Sequence, residues 1–284
     1  MTARRVWKGA AAGAAVLVIA AVALTAACGS SGGSASPPPA PSASASGASA
    51  LTSAEQAYLA RKGTLQIGAF NDYPPFGFVD KSGKPVGIAV DYWKLVAQRL
   101  GVQVAFTPVL FADQLAGLRQ GRFDSLQGIF PLAERKQWFD FSRPYFAIDT
   151  RIYTVAGAAD LTTLQALKGA KGLKVAVVKG DSGQQIAHAA GLKTLVVKGY
   201  PQAVKAVASG AAQAMILDQM VADWYIKEFK VGARVKAVGK PVATGLMTMP
   251  VRKDDTVLLG ILDKGIAMVG DSEFEGIYED WMGK

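Results

Sequence analysis

The sequence predicts an α/β fold of mostly parallel sheets flanked by helices, in a chain long enough for two lobes. Three observations carry this expectation. Strand-like apolar runs alternate with helical patterns from Leu65 onward, and such βαβ alternation implies parallel sheets covered by helices. Glycines punctuate helix ends, as at Gly101 and Gly121, where a residue that tolerates positive φ is favoured. The folded part, about 230 residues, is long enough for two separate cores.

The elements follow in order. Residues 65–70 read as a first strand, and 90–100 as an amphipathic helix ended by Gly101. Residues 102–106 form a second strand, 112–120 a helix and 125–129 a third strand. An extended crossover is expected at 152–155, then a helix at 161–167, a buried strand at 173–178 and a helix at 183–190. The pattern continues with a strand at 194–197, a helix at 201–209, a strand at 214–217 and a helix at 220–229. Residues 244–250 read as extended and returning to the first lobe, and helices at 255–269 and 273–281 close the chain. Periodicity of 3.6 or 2 residues underlies each assignment.

The N-terminus reads as a targeting segment. Arg4, Arg5 and Lys8 make a positive region, residues 10–23 an apolar one, and small residues lead to Cys28. The apolar run is too short and alanine-rich for a membrane span. Cys28 is the single cysteine, which excludes an internal disulfide and a cysteine metal cluster. The stretch 24–28 resembles a bacterial lipobox, which implies lipid attachment at Cys28 and a signal peptide over 1–27. Residues 28–52, rich in Ser, Ala, Pro and Gly, lack the apolar bulk to form a core and read as a flexible tether. The formal charge is +9, and it falls to +6 without Arg4, Arg5 and Lys8. Basic residues are scattered along the sequence with no aromatic-interleaved stripe, which argues against nucleic-acid binding and leaves a weak attraction to anionic surfaces open.

Chemistry concentrates after the expected strand ends. Arg135, in a Glu134-Arg135-Lys136 turn, follows the third strand and Pro131. Open α/β sheets bind ligands at that end, and a guanidinium there suits a carboxylate through two parallel hydrogen bonds. A solvated surface arginine is the equal alternative. Tyr73 and Phe76 flank Pro74-Pro75 after the first strand, where local packing is the commoner role for aromatics. Asp181 and Ser182 follow a glycine turn and open a helix. They read as an ordinary cap, an anion-presenting helix start, or both. Asp218, after another strand, is a helix cap or a partner for a cation. His188 is the single histidine, which excludes a two-histidine metal site and a histidine-based triad, and no cofactor is expected.

Gln120, Gly121 and Asp124, then Glu134-Arg135, then Asp140-Phe141-Ser142 with Pro144-Tyr145, together resemble the family 3 extracellular solute-binding proteins. These are polar amino-acid receptors of bacterial ABC importers. The resemblance runs from about Leu65 to the C-terminus. It implies the type II periplasmic-binding-protein fold, two lobes joined by two hinge strands. Crossings then fall near 147–155 and 242–245, with lobe 1 at 53–150 and 245–284 and lobe 2 at 151–244. It implies that Tyr73 stacks on the ligand, Phe111 forms the opposing wall, Arg135 holds a carboxylate and Asp218 an α-ammonium. Gly87 and Asp91 match a family signature, with Ala89 where an acid is usual, and Asp91 reads as a helix-start acid.

Three departures bear on the ligand. Phe130 replaces a usual serine or threonine, leaving its backbone as the donor. Phe70 stands where receptors for basic amino acids carry aspartate. Gln127, before Gly128, is larger than usual. An apolar, aromatic or non-amino-acid organic anion is therefore favoured over lysine or arginine.

The expected function is a lipid-anchored, extracytoplasmic, monomeric receptor that hands a small amino-acid-like solute or related organic anion to ABC permease subunits, and is not an enzyme. One alternative is a cyclohexadienyl dehydratase acting on prephenate or arogenate, which needs a general acid in a closed cleft. Another is a sensory module, which needs a separate signalling partner. A fused lytic transglycosylase would need a further catalytic domain. Fold alone does not separate these.

Overall fold

A computed structural model describes residues 51–158 and 160–283. The expected signal peptide, Cys28 and nearly all of the tether lie outside the described residues.

Lobe 1 opens on helix α1, Ser53–Lys62, which starts with a capping box. The Thr52 side chain accepts from Glu55 N–H, and the Glu55 carboxylate accepts from Thr52 N–H at 2.6 Å. Thr52 was expected as the tether's last residue, yet here it caps the first helix. Glu55 also receives Lys264 Nζ at 2.6 Å, tying α1 to α8, Thr256–Ala267.

The lobe 1 sheet has the order β5-β1-β6, with β1 at Thr64–Phe70, β5 at Gln103–Val109 and β6 at Ser125–Leu126. All pairings are parallel. Helix α2, Ile88–Leu100, and helix α3, Phe111–Arg119, are the crossovers, and α9, Asp271–Met282, packs beside α2. A small antiparallel set, β2 at Asp72–Tyr73, β3 at Gly77–Val79 and β4 at Pro85–Val86, extends from the end of β1. Strand β7, Phe139–Phe141, pairs with β13, Pro250–Arg252.

The third strand is shorter than the expected 125–129. After Gln127 N–H donates to Gly68, Ile129 leaves β1 and bridges Thr248 of the returning chain. That exchange of partners turns the backbone away from the sheet and aims the following loop at the cleft.

Lobe 2 has a five-stranded sheet, order β10-β9-β11-β8-β12. Strands β9 (Val175–Val178), β10 (Thr194–Val197) and β11 (Ala214–Asp218) run parallel. The two long strands β8, Phe146–Val155, and β12, Val235–Met247, add antiparallel pairs and carry the chain out and back. Only the hinge crossing at 242–245 and the extended stretch 244–250 were expected there. An edge strand with exposed Lys236 and Lys240 lacks the apolar alternation that marks a buried one. Helices α4 (Leu164–Gly169), α5 (Ser182–Ala189), α6 (Tyr200–Ala208) and α7 (Gln219–Glu228) cover the sheet. Helix α5 lies so close to β11 that a Cβ on Gly183 would stand 2.3 Å from the Ile216 carbonyl oxygen. A glycine is required at that crossing. No helix among the described residues is long and apolar enough to cross a membrane.

Candidate functional site

The carboxyl ends of both sheets meet in one closed cleft. Lobe 1 supplies Phe70 from the end of β1, Tyr73 from β2, Phe111 from the start of α3, and Gln127 to Phe130 from the loop after β6. A 3-10 turn, Ala133–Arg135, follows that loop. Lobe 2 supplies Gly180 to Ser182 after β9, Tyr200 at the start of α6 and Asp218 at the end of β11.

Arg135 is 4% exposed, which removes the surface-arginine reading. Its Nη1 donates to Phe130 O at 2.9 Å within lobe 1, and its Nη2 donates to Gly180 O at 3.0 Å in lobe 2. The guanidinium lies 5.3 Å from the centre of the Phe111 ring. Burial lowers its pKa, against the opposing pull of Asp181. The Nε of Arg135, Nε2 of Gln127 and Oδ2 of Asp181 are buried without hydrogen-bond partners among the described residues. Most buried polar atoms in folded proteins are paired, so three unpaired ones in one cleft single it out.

Asp218 is 2% exposed. It accepts from Tyr73 Oη at 2.6 Å across the cleft and from Thr150 Oγ1 at 2.5 Å within the β8–β11 pair. Burial, then the neighbouring Asp181, raises its pKa to about 7 despite these donors. Its side chain makes no cap bond to α7, so position alone does not explain it. Asp181 is likewise raised, first by burial, with Arg135 opposing. The capping reading of Asp181 and Ser182 fails: no side-chain cap bond forms, and Ser182 Oγ instead faces Asp181 at 3.5 Å. Asp72, raised to about 6 by burial, accepts from Tyr200 N–H at 3.2 Å at the start of α6. Its carbonyl accepts from Tyr225 Oη at 2.9 Å. The β2 segment therefore clasps lobe 2 at several points.

Aromatic rings line the lobe 1 side. Phe70 stacks on Tyr73 with centroids 4.7 Å apart and on Phe111 at 5.8 Å. Tyr200 leans on Tyr73 from lobe 2, at 4.7 Å. Phe76, expected as a ligand contact beside Tyr73, packs edge-on to Phe70 and Tyr73 and stacks near Tyr145 and Phe146. Gln127 is fixed from several sides. Its Oε1 accepts from Phe70 N–H at 2.8 Å, and its carbonyl accepts from Trp93 Nε1 and Tyr145 Oη. A Cβ on Gly128 would stand 2.6 Å from that same Tyr145 oxygen. The Phe130 ring packs so tightly on Gly245 that a Cβ there would stand 2.4 Å away.

The structure thus gathers Tyr73, Phe111, Gln127, Gly128, Phe130, Arg135, Asp181, Ser182 and Asp218, with Phe76 one layer behind. Asp91 salt-bridges Lys94 on α2 and accepts from Trp281, and His188 is exposed on α5. Sequence reasoning missed Asp72, Thr150 and Tyr200. Tyr200 follows β10 directly, so the strand-end rule that found Asp218 applied to it too.

The sequence pattern of the bacterial extracellular solute-binding proteins, family 3, matches residues 65–284. The chain belongs to that family. A probable amino-acid ABC transporter-binding protein of Haemophilus influenzae is 33% identical over 166 residues, 58% of this chain and 63% of that protein. The match spans just under two-thirds of that relative. Among solved structures, an ancestral arginine-binding protein bound to glutamine is 35% identical, with a TM-score of 0.70 over 78% of this chain and 99% of that one. A histidine kinase sensor domain similar to periplasmic binding proteins is 25% identical, with a TM-score of 0.72 over 78% of this chain and 96% of that one. The fold is the two-lobed type II periplasmic-binding-protein fold.

Proposed function

We propose that this chain is an extracytoplasmic receptor that closes its lobes, bounded near residues 150 and 245, on a small amino-acid-like solute. We further propose that it delivers the solute to an ABC importer. The observation that carries this reading is the burial of Arg135 from one lobe and Asp218 from the other in a single cleft. A cation and an anion held apart on opposite walls suit the two ends of a zwitterion. The rings of Phe70, Tyr73 and Phe111 suit an apolar or aromatic side chain.

A thermal-shift and calorimetric screen against amino acids, small organic anions and prephenate tests the reading. The expected result is selective stabilisation by one α-amino acid class without turnover. Stabilisation by none of them overturns it. Two observations favour other readings. The likeness to a kinase sensor domain fits a signalling role, which loss of a ligand response with unimpaired uptake in a deletion strain supports. A buried carboxyl near neutrality, Asp218, suits a general acid, and conversion of prephenate or arogenate in the screen supports an enzyme.

The anchor is proposed at Cys28, because the one cysteine of the chain closes the apolar N-terminal run. Cys28→Ala is expected to leave the fold intact and move the protein from the salt-washed membrane pellet to the soluble fraction. A correctly cleaved variant that stays wholly in the pellet sinks the anchor.

A further inference from the structure

The positive charge of this protein is segregated by lobe. Residues 151–244 carry 13 Lys and Arg against 5 Asp and Glu, whereas residues 53–150 with 245–284 carry 15 against 17. Basic residues that are scattered in sequence are therefore massed in space. The imbalance is greatest between Leu161 and Leu217, which hold seven lysines and a single acid, the cleft residue Asp181. All seven lysines are exposed. The six ion pairs among the described residues all lie in lobe 1, and none involves these lysines.

Four of the seven share one end of the lobe. Lys174 and Lys193 immediately precede the paired strands β9 and β10, and Val175 N–H donates to Lys193 O at 2.9 Å. Lys168 lies beside Gly191, within 3.4 Å of where a Cβ there would stand. Lys168, Lys171 and Lys193 line one shallow depression of about 350 Å³ between the end of α4 and the turn before β10. This end is opposite the cleft. The cleft lies at the carboxyl ends of the same strands, about 13 Å away along four extended residues.

We infer that this distal face of lobe 2 is a docking surface for an anionic lipid bilayer. The charge type favours a fluid sheet of headgroups over a shaped partner. Lysine presents a hydrated point charge on a flexible stem, whereas bidentate recognition of phosphate or carboxylate uses the arginine fork, which is absent from 161–217. Val196 is the one exposed large apolar side chain recorded in that stretch, and no exposed aromatic accompanies it among the described residues. The stacking platform of a nucleic-acid surface and the apolar centre of a protein interface are both missing. Screening limits useful attraction to about 8 Å at physiological salt, so a local cluster matters more than net charge. Docking through the distal end leaves the mouth of the cleft unobstructed.

The test uses the chain from residue 28 onward carrying Cys28→Ala, so that neither an acyl group nor the apolar N-terminal run contributes. It is co-sedimented with phosphatidylcholine vesicles containing either no anionic lipid or a substantial phosphatidylglycerol fraction. The expected result is sedimentation with the anionic vesicles alone, declining as salt rises. In that background Lys168→Gln, Lys171→Gln, Lys174→Gln and Lys193→Gln together are expected to lower partitioning about tenfold or more at low salt. Removing four exposed charges from lobe 1, by Lys81→Gln, Lys84→Gln, Lys136→Gln and Arg143→Gln, is expected to change it less than twofold. Equal losses from the two quadruple variants overturn the inference, as does equal sedimentation with neutral and anionic vesicles. Binding to an acidic protein or to DNA without vesicle partitioning also overturns it.

Discussion

Arg135→Ala is expected to weaken binding of the cognate solute by about 2–5 kcal/mol, the usual cost of truncating one partner of a buried charged pair. That corresponds to roughly thirty- to several-thousand-fold in dissociation constant. The guanidinium is held by Phe130 O on one side and Gly180 O on the other. It is therefore pre-set before a carboxylate arrives, with Nε still unpaired. Its loss leaves the ligand anion facing the carboxyls of Asp181 and Asp218 without a counter-charge. Arg135→Lys is expected to fall between wild type and alanine, because an ammonium restores charge but not the planar fork. Calorimetry on the folded variants decides the matter, and an unchanged dissociation constant for Arg135→Ala refutes the anchor role.

The second large effect is a pair of opposite pH dependences. Asp218 is raised to about 7 by burial and then by Asp181, and Asp72 is raised to about 6. A carboxyl whose folded pKa lies above its unfolded value contributes stability that is complete below the unfolded value. That stability is lost as pH climbs through the folded one. The ligand-free protein is therefore expected to melt lower as pH rises from about 4 to about 7. Asp140, held low by its bond to Lys253, acts in the reverse sense, but below the ordinary carboxylate range.

Binding behaves oppositely. An ammonium ligand needs Asp218 ionised, so below pH 7 the site must first release a proton. Affinity for an α-amino acid is expected to fall by up to tenfold per pH unit between about 7 and 5.5. Calorimetry in two buffers of different ionisation enthalpy reads the released proton directly. A flat affinity over that range, or the same slope in Asp218→Asn, refutes the role given to this carboxyl.

Much of the architecture was legible in local pattern. The strands and helices of lobe 2 announce themselves because a buried strand such as β9, Val175–Val178, is apolar throughout and glycine turns bound it. The places of Arg135 and Asp218 in the cleft were legible for a different reason, since both lie at or after the carboxyl ends of strands, which meet there. The misses have separate causes. Helix α1 carries its capping box openly in Thr52-Ser53-Ala54-Glu55, but follows low-complexity sequence that dilutes the signal. Strand β12 is an exposed edge, so its partner β8 and not its own composition makes it a strand. Asp72 meets Tyr200 across the cleft, a contact 128 residues apart that no window along the chain reports.

The stack of Tyr73, Phe70 and Phe111 makes one wall of the cleft a single aromatic face rather than three separate side chains. Ring pairs of this kind are worth about 0.5–1.5 kcal/mol each, so no one ring shifts without cost to its neighbours. Under the receptor reading, a flat solute meets such a face over its whole area and a small aliphatic one touches it in few places. Truncating Phe70, the ring shared by both pairs, is therefore expected to blunt discrimination between solutes more than it lowers affinity for any one of them.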